Sequence, residues 1–259
     1  MNALSDPTIM QRRFRRVARP VASRLWDIET VGYDRIPSDG PAILCPNHIS
    51  FLDSAFLMLT MRRTISFIGK AEYLESFKTR ALFPALGMIP VDRAGGERSA
   101  ATLETVAAML REGAVFGIFP EGTRSRDGHL HKGRTGAARL AIEVGCPILP
   151  VGITGTSDIQ PPGASLPKVG KRCRIEIGDP IRPADVIARE GHAGAGRALT
   201  DAVMRSVGAL TGQHYVDEYQ QPSSAARRAD VIDFTPAAMP TMAAMPSMPV
   251  GAAAMRRAV

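Results

Sequence analysis

The stretch from residue 42 to residue 61 indicates the fold, because it reads as a strand, a turn and a helix in succession. Its first part, Ala42-Ile43-Leu44-Cys45, is a short apolar run of the kind that forms buried strands. Its second part is Asn47-His48-Ile49-Ser50-Phe51-Leu52-Asp53. Ser50 is a preferred helix N-cap residue, and the apolar residues from Phe51 to about Met61 predict a helix after it. The stretch therefore predicts a buried strand that leads through a polar loop into a helix.

The second part of this stretch contains a histidine and an aspartate five positions apart, His48 and Asp53. On one straight helix that spacing would rotate the side chains through about 500°, so they would point apart. With His48 in the loop and Asp53 in the first helical turn, they can meet. A histidine accepts protons near neutral pH, and a carboxylate can hold its ring in the useful tautomer. This segment alone leaves two interpretations open: a catalytic pair, or a capping box Ser50-x-x-Asp53 in which Asp53 only accepts backbone N–H groups.

The rest of the chain alternates short apolar strands with helices. The predicted strands are Ile28–Gly32, Ala42–Cys45, Ile65–Ile68, Met88–Val91, Ala114–Phe119, Ile148–Thr154 and Cys173–Ile177. The predicted helices are Phe51–Met61, Thr79–Leu86, Glu97–Arg111, Gly136–Val144 and Gly196–Leu210. This alternation predicts an α/β fold, with a largely parallel mixed sheet covered by helices on both faces. In such sheets functional groups gather beyond the carboxyl ends of the strands.

Three more stretches of the sequence are informative when they are considered together with the first. They are Leu86-Gly87-Met88-Ile89-Pro90-Val91-Asp92-Arg93, Phe119-Pro120-Glu121-Gly122-Thr123-Arg124-Ser125 and Ile148-Leu149-Pro150-Val151-Gly152-Ile153. With His48-x4-Asp53 they resemble, in order, the four sequence blocks of the glycerolipid acyltransferase family, which includes lysophosphatidic acid acyltransferase. The resemblance covers roughly residues 28 to 180, and it implies an acyltransferase domain over residues 28–215.

The resemblance implies a reaction and a set of site residues. A fatty acyl group would pass from acyl-CoA or acyl carrier protein to the free hydroxyl of 1-acylglycerol-3-phosphate, giving phosphatidic acid. His48 would be the general base, and Asp53 would orient it. The implied substrate-binding residues are Lys70, Arg93, Glu121, Gly122, Thr123 and Arg124. Arg93 and Arg124 would bind the acceptor phosphate, while Glu121 would contact the acceptor glycerol or hold Arg124.

The thioester donor is a substrate that is already activated, so we expect no cofactor and no covalent enzyme intermediate. We also expect no metal site. Three other functions stay open from the sequence: an acyltransferase of the same family with another lipid acceptor, a non-catalytic membrane lipid-binding protein, and a lipid thioesterase.

Composition points to an anionic partner. The formal net charge of the 259 residues is +7 and the pI is about 9.8. Aromatic residues make up only 5% and are not interleaved with a basic stripe, which argues against nucleic acid binding by base stacking. The cysteines, Cys45, Cys146 and Cys173, are odd in number and far apart, which favours buried thiols in a reducing compartment.

Residues 1–27 predict a basic amphipathic helix that contacts a membrane. Its apolar residues fall at helical spacing, and arginines cover much of the remaining surface: Met10, Phe14, Val17, Val21 and Leu25, and Arg12, Arg13, Arg15, Arg16, Arg19 and Arg24. The alternative is a core-packing helix with a solvated basic face. We find no apolar run of the roughly 18 residues that a transmembrane helix needs, and no signal peptide pattern. We therefore expect a cytoplasmic protein bound peripherally to the inner face of the membrane.

The last part of the chain, residues 216–259, is rich in Ala, Pro and Met and has few bulky apolar residues after about Gln220. This composition predicts a disordered tail.

Overall fold

The strand predicted at Ala42–Cys45 is buried along its whole length and lies at the centre of a seven-stranded sheet. The computed structural model describes residues 7–70, 87–91, 97–161, 164 and 166–220. Its strands are β1 (Trp26–Val31), β2 (Ala42–Pro46), β3 (Ile65–Lys70), β4 (Met88–Val91), β5 (Val115–Gly117), β6 (Leu130–His131), β7 (Ile148–Thr154), β8 (Lys171–Ile177) and β9 (Tyr215–Val216). Its α-helices are α1 (Pro7–Leu25), α2 (Leu52–Thr60), α3 (Glu97–Arg111), α4 (Gly136–Val144), α5 (Thr156–Ile159) and α6 (Pro183–Thr211).

The main sheet is largely parallel and mixed, as predicted. Its strand order is β1-β8-β7-β2-β5-β3-β4. Neighbouring strands are parallel except β7 and β8, which pair antiparallel with Thr154 opposite Arg174. Because β1 is parallel to β8, these two strands run opposite to the other five. The sheet edge where β2, β3, β5 and β7 end, called the carboxyl edge below, is therefore also the edge where β1 and β8 begin.

Helices cover both faces of this sheet, which confirms the predicted layer arrangement. Alternate residues of β2 point to opposite faces, as the pleat requires. Ile43 and Cys45 lie in a core with α3, α4 and α6, whereas Ala42 and Leu44 lie in a core with α1 and α2. All three cysteines of the chain are buried free thiols.

Helix α1 is fastened to the body by buried polar contacts. The side-chain amide of Gln11, which is 2% exposed, donates to the Ile65 carbonyl at 2.7 Å, and the Ile65 N–H donates back to it at 3.1 Å. The guanidinium of Arg15 donates to the carbonyls of Met61, Arg62 and Arg63. The helix is therefore part of the folded body.

The apolar stripe predicted for this helix divides between two faces. Phe14, Ala18 and Ala22 face the core, while Val17 and Val21 stay exposed. The core-packing alternative thus holds for one face, and the adjacent side with Val17 and Val21 is open to solvent. None of the described helices is long and apolar enough to cross a bilayer.

Several boundaries differ from the predicted ones. Helix α6 begins at Pro183 rather than Gly196, with a break at Gly191, whose φ is +70°. Strand β9 pairs with β6, so residues 216–220 continue the folded chain instead of opening the tail. The predicted helix Thr79–Leu86 and residues 221–259 lie outside the described part of the chain.

Replacing Gln11 by alanine should destabilise the protein by about 1–3 kcal/mol, because it leaves both backbone groups of Ile65 buried without their partner. Urea unfolding followed by circular dichroism measures this free energy. Arg12→Ala, at the exposed neighbouring position, is the control and should change stability by less than about 0.5 kcal/mol. Equal midpoints for the two variants would show that α1 does not depend on this contact.

Candidate active site

His48 and Asp53 meet at the carboxyl edge, as predicted. His48 Nδ1 lies 2.9 Å from Asp53 Oδ2. The Asp53 side chain is fully buried, and the His48 side chain is 18% exposed. Because Asp53 Oδ2 already accepts two backbone N–H groups, it also accepts in this bond, and His48 Nδ1 is the donor. No described residue hydrogen-bonds Nε2, so the basic nitrogen is available to a substrate.

The Asp53 carboxylate also holds the backbone of the loop. Its Oδ2 accepts the N–H groups of Ile49 at 2.7 Å and Ser50 at 2.8 Å, and its Oδ1 accepts the Thr156 hydroxyl at 2.6 Å. Asp53 therefore makes both kinds of contact: it accepts backbone N–H groups at the start of α2 and it hydrogen-bonds the His48 ring. The helix begins one residue later than expected, at Leu52.

The His48 ring is packed on its face by aromatic side chains. Phe119 stacks on it with ring centroids 3.8 Å apart and planes 20° apart, and Phe67 stacks behind Phe119 at 5.9 Å. A Cβ added to Gly117 would lie 2.1 Å from the Phe67 ring. This row of rings fills the space between the sheet and the imidazole, so the ring plane is set by packing as well as by Asp53.

Glu121 joins the His48 loop to the segment after β5. Its Oε1 accepts the His48 N–H at 3.0 Å and its Oε2 accepts the His131 N–H at 3.1 Å. Glu121 is 2% exposed, and burial raises its pKa to about 8, although the two backbone N–H groups act in the opposite direction. With both oxygens on backbone N–H groups, the geometry favours a positioning role over either role that the sequence suggested.

The motif around Glu121 folds as a tight turn. The Gly122 N–H donates to the Phe119 carbonyl at 3.0 Å. Gly122 has a φ of +75°, and a Cβ there would lie 3.1 Å from Arg134 Nε, so the turn favours glycine. Three residues on, the Ser125 N–H donates to the His48 carbonyl at 2.7 Å. Both peptide groups of His48 are therefore held by this segment.

A polar cluster supports the segment that follows. The Ser125 hydroxyl donates to Asp127 Oδ1 at 3.0 Å, and His131 Nε2 lies 3.1 Å from both carboxylate oxygens of Asp127. Partial burial opposes ionisation of Asp127, but hydrogen bonds from the His129 N–H, the His131 ring and Ser125 outweigh it and lower the Asp127 pKa to about 2. The carboxylate is thus charged at physiological pH and keeps the loop in place.

A cavity of about 460 Å³ opens beside the loop that carries His48. It is lined by residues of three segments: Ile49, Ser50 and Phe51; Arg124, Ser125 and Arg126; and Gln160, Pro161 and Ala164. Arg124 is exposed on this wall, and the half-buried Thr123 precedes it. The cavity combines guanidinium groups with apolar surface, as a phosphorylated lipid requires.

The structure describes the other two predicted site residues, Lys70 and Arg93, only in part or not at all. Lys70 is the last residue of β3, so its backbone lies at the carboxyl edge. Arg93 lies outside the described residues. Phe51 is 39% exposed and lines the cavity, whereas Phe56 and Ile148 are core residues.

Sequence reasoning missed three contributors to the site. Asn47 is fully buried and exchanges hydrogen bonds with the backbone of Ile153, which ties the catalytic loop to β7. Phe119, which stacks on the His48 ring, is the second contributor. Phe119 and Asn47 both lie within the motif stretches, so their position in the sequence could have identified them. Thr156 is 103 residues from Asp53 and belongs to no motif, so only the fold reveals it.

Comparison with known proteins agrees with this geometry. A sequence profile described as Acyltransferase matches residues 27–154. Two similar proteins are chloroplastic 1-acyl-sn-glycerol-3-phosphate acyltransferases. That of Arabidopsis thaliana is 31% identical over 64% of this chain and 48% of its own length, and that of Brassica napus is 30% identical over 70% and 56%. The crystal structure of PlsC from Thermotoga maritima, a 1-acyl-sn-glycerophosphate acyltransferase, superposes with a TM-score of 0.60 and 25% identity over 79% of each chain.

The chain spans about half the length of these two plant relatives. The matched region nevertheless contains the His48–Asp53 pair, the Glu121–Arg124 turn and strand β7. Fold, site motifs and sequence similarity agree, and the chain belongs to the glycerolipid acyltransferase family.

Proposed function

We propose that the protein transfers a fatty acyl group from acyl-CoA or acyl carrier protein to the free hydroxyl of 1-acylglycerol-3-phosphate, forming phosphatidic acid. The observation that carries this proposal is the His48–Asp53 pair, 2.9 Å apart at the rim of a cavity that Arg124 lines. The similarity to 1-acyl-sn-glycerol-3-phosphate acyltransferases supports the choice of acceptor.

His48 acts as the general base. Its Nε2 takes the proton of the acceptor hydroxyl, and the buried Asp53 carboxylate stabilises the imidazolium that forms. The hydroxyl oxygen attacks the thioester carbonyl carbon, the new C–O bond forms, and the C–S bond breaks. His48 returns its proton to the leaving thiolate. The protein needs no cofactor, because the thioester brings the activated acyl group.

Arg124 is the described cation best placed for the acceptor phosphate, since a guanidinium can bind two phosphate oxygens at once. Gly122 and Thr123 shape the turn that presents it. Lys70 and Arg93 remain predicted phosphate ligands. Glu121 contributes by fixing the backbone of His48.

We place the protein peripherally on the inner face of a membrane, where its lipid acceptor resides. Helix α1 supports this placement, because its exposed side carries Arg12, Arg13, Arg16, Arg19 and Arg24. Each such residue near an anionic bilayer contributes about 1 kcal/mol of attraction.

A labelled acyl-CoA assay with purified protein tests the proposed reaction. Label should enter phosphatidic acid only when 1-acylglycerol-3-phosphate is present. Label in free fatty acid regardless of acceptor would indicate a thioesterase. Product only with another lysophospholipid would indicate a different acceptor. No turnover with any acceptor would indicate a non-catalytic lipid-binding protein.

His48→Ala should lower kcat by on the order of 10²–10⁴, because it removes the base. Asp53→Asn should lower kcat less but should also lower the melting temperature, since a buried amide cannot accept all the bonds that the carboxylate accepts. His192→Ala, exposed on α6, is the matched control and should be fully active. A His48→Ala protein with wild-type turnover and a normal circular dichroism spectrum would disprove the mechanism.

Arg124→Ala should raise the KM for the phosphorylated acceptor about tenfold or more, as expected from losing a charge-assisted contact of roughly 1.5–3 kcal/mol. The KM for the acyl donor should change little. Arg205→Ala, at an exposed position of α6, provides the comparison for loss of a positive charge alone. A larger effect on donor KM than on acceptor KM would move Arg124 to the donor site.

Glu121→Gln should lower kcat while leaving the acceptor KM nearly unchanged, because the amide cannot accept both backbone N–H groups and the His48 loop loosens. Glu143→Gln, which alters an exposed ion pair with Arg111, is the control. Steady-state kinetics with varied acceptor separate the two constants. A selective rise in acceptor KM would instead make Glu121 a substrate ligand.

The same variant should alter how stability depends on pH. The pKa of Glu121 is about 8 in the folded protein, against 4.5 when it is free in solution, so between these values the folded state holds a proton that the unfolded state has lost. Wild-type stability should therefore fall as pH rises from about 4.5 through 8, and this part of the slope should be absent in Glu121→Gln. Parallel denaturation curves for both proteins across this range would contradict the prediction.

A further inference from the structure

One side chain just beyond the end of α6 bridges the two loops of the candidate site. The loops are residues 47–51, after β2, and residues 118–129, after β5. Gln213 Oε1 accepts a hydrogen bond from Asn47 Nδ2 at 2.8 Å, and Gln213 Nε2 donates to the Gly128 carbonyl at 2.8 Å. A single side-chain amide therefore holds one residue of each loop.

The groups around this bridge fix the orientation of both amides. Asn47 Nδ2 also donates to the Ile153 carbonyl at 2.9 Å, and Asn47 Oδ1 accepts the Ile153 N–H at 2.7 Å. The Gly128 carbonyl can only accept, so Gln213 Nε2 faces it and Gln213 Oε1 faces Asn47. Turning either amide over would set donor against donor or acceptor against acceptor. The bridge therefore has one arrangement that satisfies all its members.

Close packing of α6 on the sheet brings Gln213 to this position. A Cβ added to Gly152 of β7 would lie 2.6 Å from Leu210 Cβ, so the last turn of α6 approaches the strand closely. The helix ends at Gly212, whose φ is +68° and whose N–H donates to the Gly208 carbonyl at 2.8 Å. The chain turns at this glycine, and the next side chain lies between the two loops.

The residues that follow Gln213 run along the end of the loop after β5. The Leu130 N–H donates to the His214 carbonyl at 2.9 Å, and β9 then pairs with β6 in parallel. The Lys132 N–H donates to the Glu218 carbonyl at 3.1 Å. The backbone that carries Gln213 is therefore held on one side by α6 and on the other side by β6.

Two series of hydrogen bonds lead from this segment to the backbone of His48. The first passes through Gln213 to Asn47, which directly precedes His48 in the sequence. The second passes from β9 to β6, where the His131 N–H donates to Glu121 Oε2, and Glu121 Oε1 accepts the His48 N–H. Both reach main-chain groups rather than the imidazole, so they determine where the ring is held.

We propose that Gln213 is a positioning residue, which fixes the placement of the His48 imidazole by linking the loop after β2 to the loop after β5. It acts through Asn47 rather than on the substrate. Without the bridge the two loops shift relative to each other, and a displaced base lowers the rate of the chemical step more than it lowers substrate binding. This kinetic consequence rests on the proposed function; the bridge itself does not.

Steady-state kinetics of the full chain test this role with Gln213→Met, because methionine keeps the length of the side chain and removes both hydrogen bonds. The kcat should fall about tenfold or more, and the KM values for 1-acylglycerol-3-phosphate and acyl-CoA should change less than about twofold. The control Glu190→Met introduces the same side chain at an exposed position of α6 and should have wild-type kcat. A contact that only stabilised the fold would lower the melting temperature and leave kcat unchanged, and wild-type kcat in Gln213→Met overturns the proposal.

The variant Gln213→Glu separates the two ends of the bridge. At neutral pH its carboxylate still accepts a hydrogen bond from Asn47, but it has no hydrogen to donate to the Gly128 carbonyl. Its kcat should therefore lie between those of wild type and Gln213→Met. A kcat as low as that of Gln213→Met would show that the bond to Asn47 does not position His48, and would overturn the proposal.

Hydrogen exchange measures the bridge without reference to turnover. In Gln213→Met the amide hydrogens of residues 47–51 and 126–132 should exchange faster than in wild type, whereas those of α4 should exchange at the wild-type rate. In Gln213→Glu only residues 126–132 should exchange faster. Wild-type exchange in both loops of Gln213→Met overturns the proposal. If that variant does not fold, wild-type exchange of residues 126–132 in the milder Gln213→Glu overturns it.

The combined results distinguish this proposal from the proposed function. If Gln213→Met loses kcat and both loops exchange faster, both proposals stand. If no protein turns over any acceptor while the exchange differences appear, the reaction is wrong and the bridge between the loops stands. If wild type is active and Gln213→Met equals it in kcat and in exchange, only the positioning role fails.

Discussion

The buried carboxylate of Asp53 is the constraint on which the site depends. A charge removed from water is tolerated only when protein groups replace its hydration. Here the replacements are the His48 ring, two backbone N–H groups and the Thr156 hydroxyl. Hydrogen bonds to a charged group contribute roughly 1.5–3 kcal/mol each. Satisfying the carboxylate therefore requires the loop after β2, the first turn of α2 and the start of α5 to meet, and that meeting aims the imidazole.

The second loop is held to the first mainly through backbone groups. Glu121 accepts the His48 N–H, and the Ser125 N–H donates to the His48 carbonyl, so both backbone groups of His48 are hydrogen-bonded. Rigid placement of this kind lowers the reorganisation needed during a reaction. It also leaves the side chain of Arg124, between these two anchors, directed by a turn that is itself fixed. The positions of His48 and Arg124 thus depend on one shared set of hydrogen bonds.

Local patterns predicted those parts of the structure whose causes are local. Alternating apolar strands and helices gave the layers, and the loop between β2 and α2 allowed His48 to reach Asp53. Contacts between distant segments leave no such trace: Thr156 has no motif around it, and the second role of Glu121 is visible only once His131 is beside it. Strands β6 and β9 are two residues long, too short for any periodicity. The first half of α6 was not predicted, because the glycines at 191, 194 and 196 weaken the helical pattern of the sequence.

The ring stack between the sheet and His48 connects the imidazole to the hydrophobic core by direct packing. Gly117 leaves room for Phe67, Phe67 supports Phe119, and Phe119 lies against the imidazole. A closely packed interior transmits displacements rather than absorbing them. The size of the side chains at Gly117 and Phe67 therefore affects the tilt of the His48 imidazole through Phe119. Substitutions at Gly117 or Phe67, which do not contact the imidazole directly, can therefore change its orientation through Phe119.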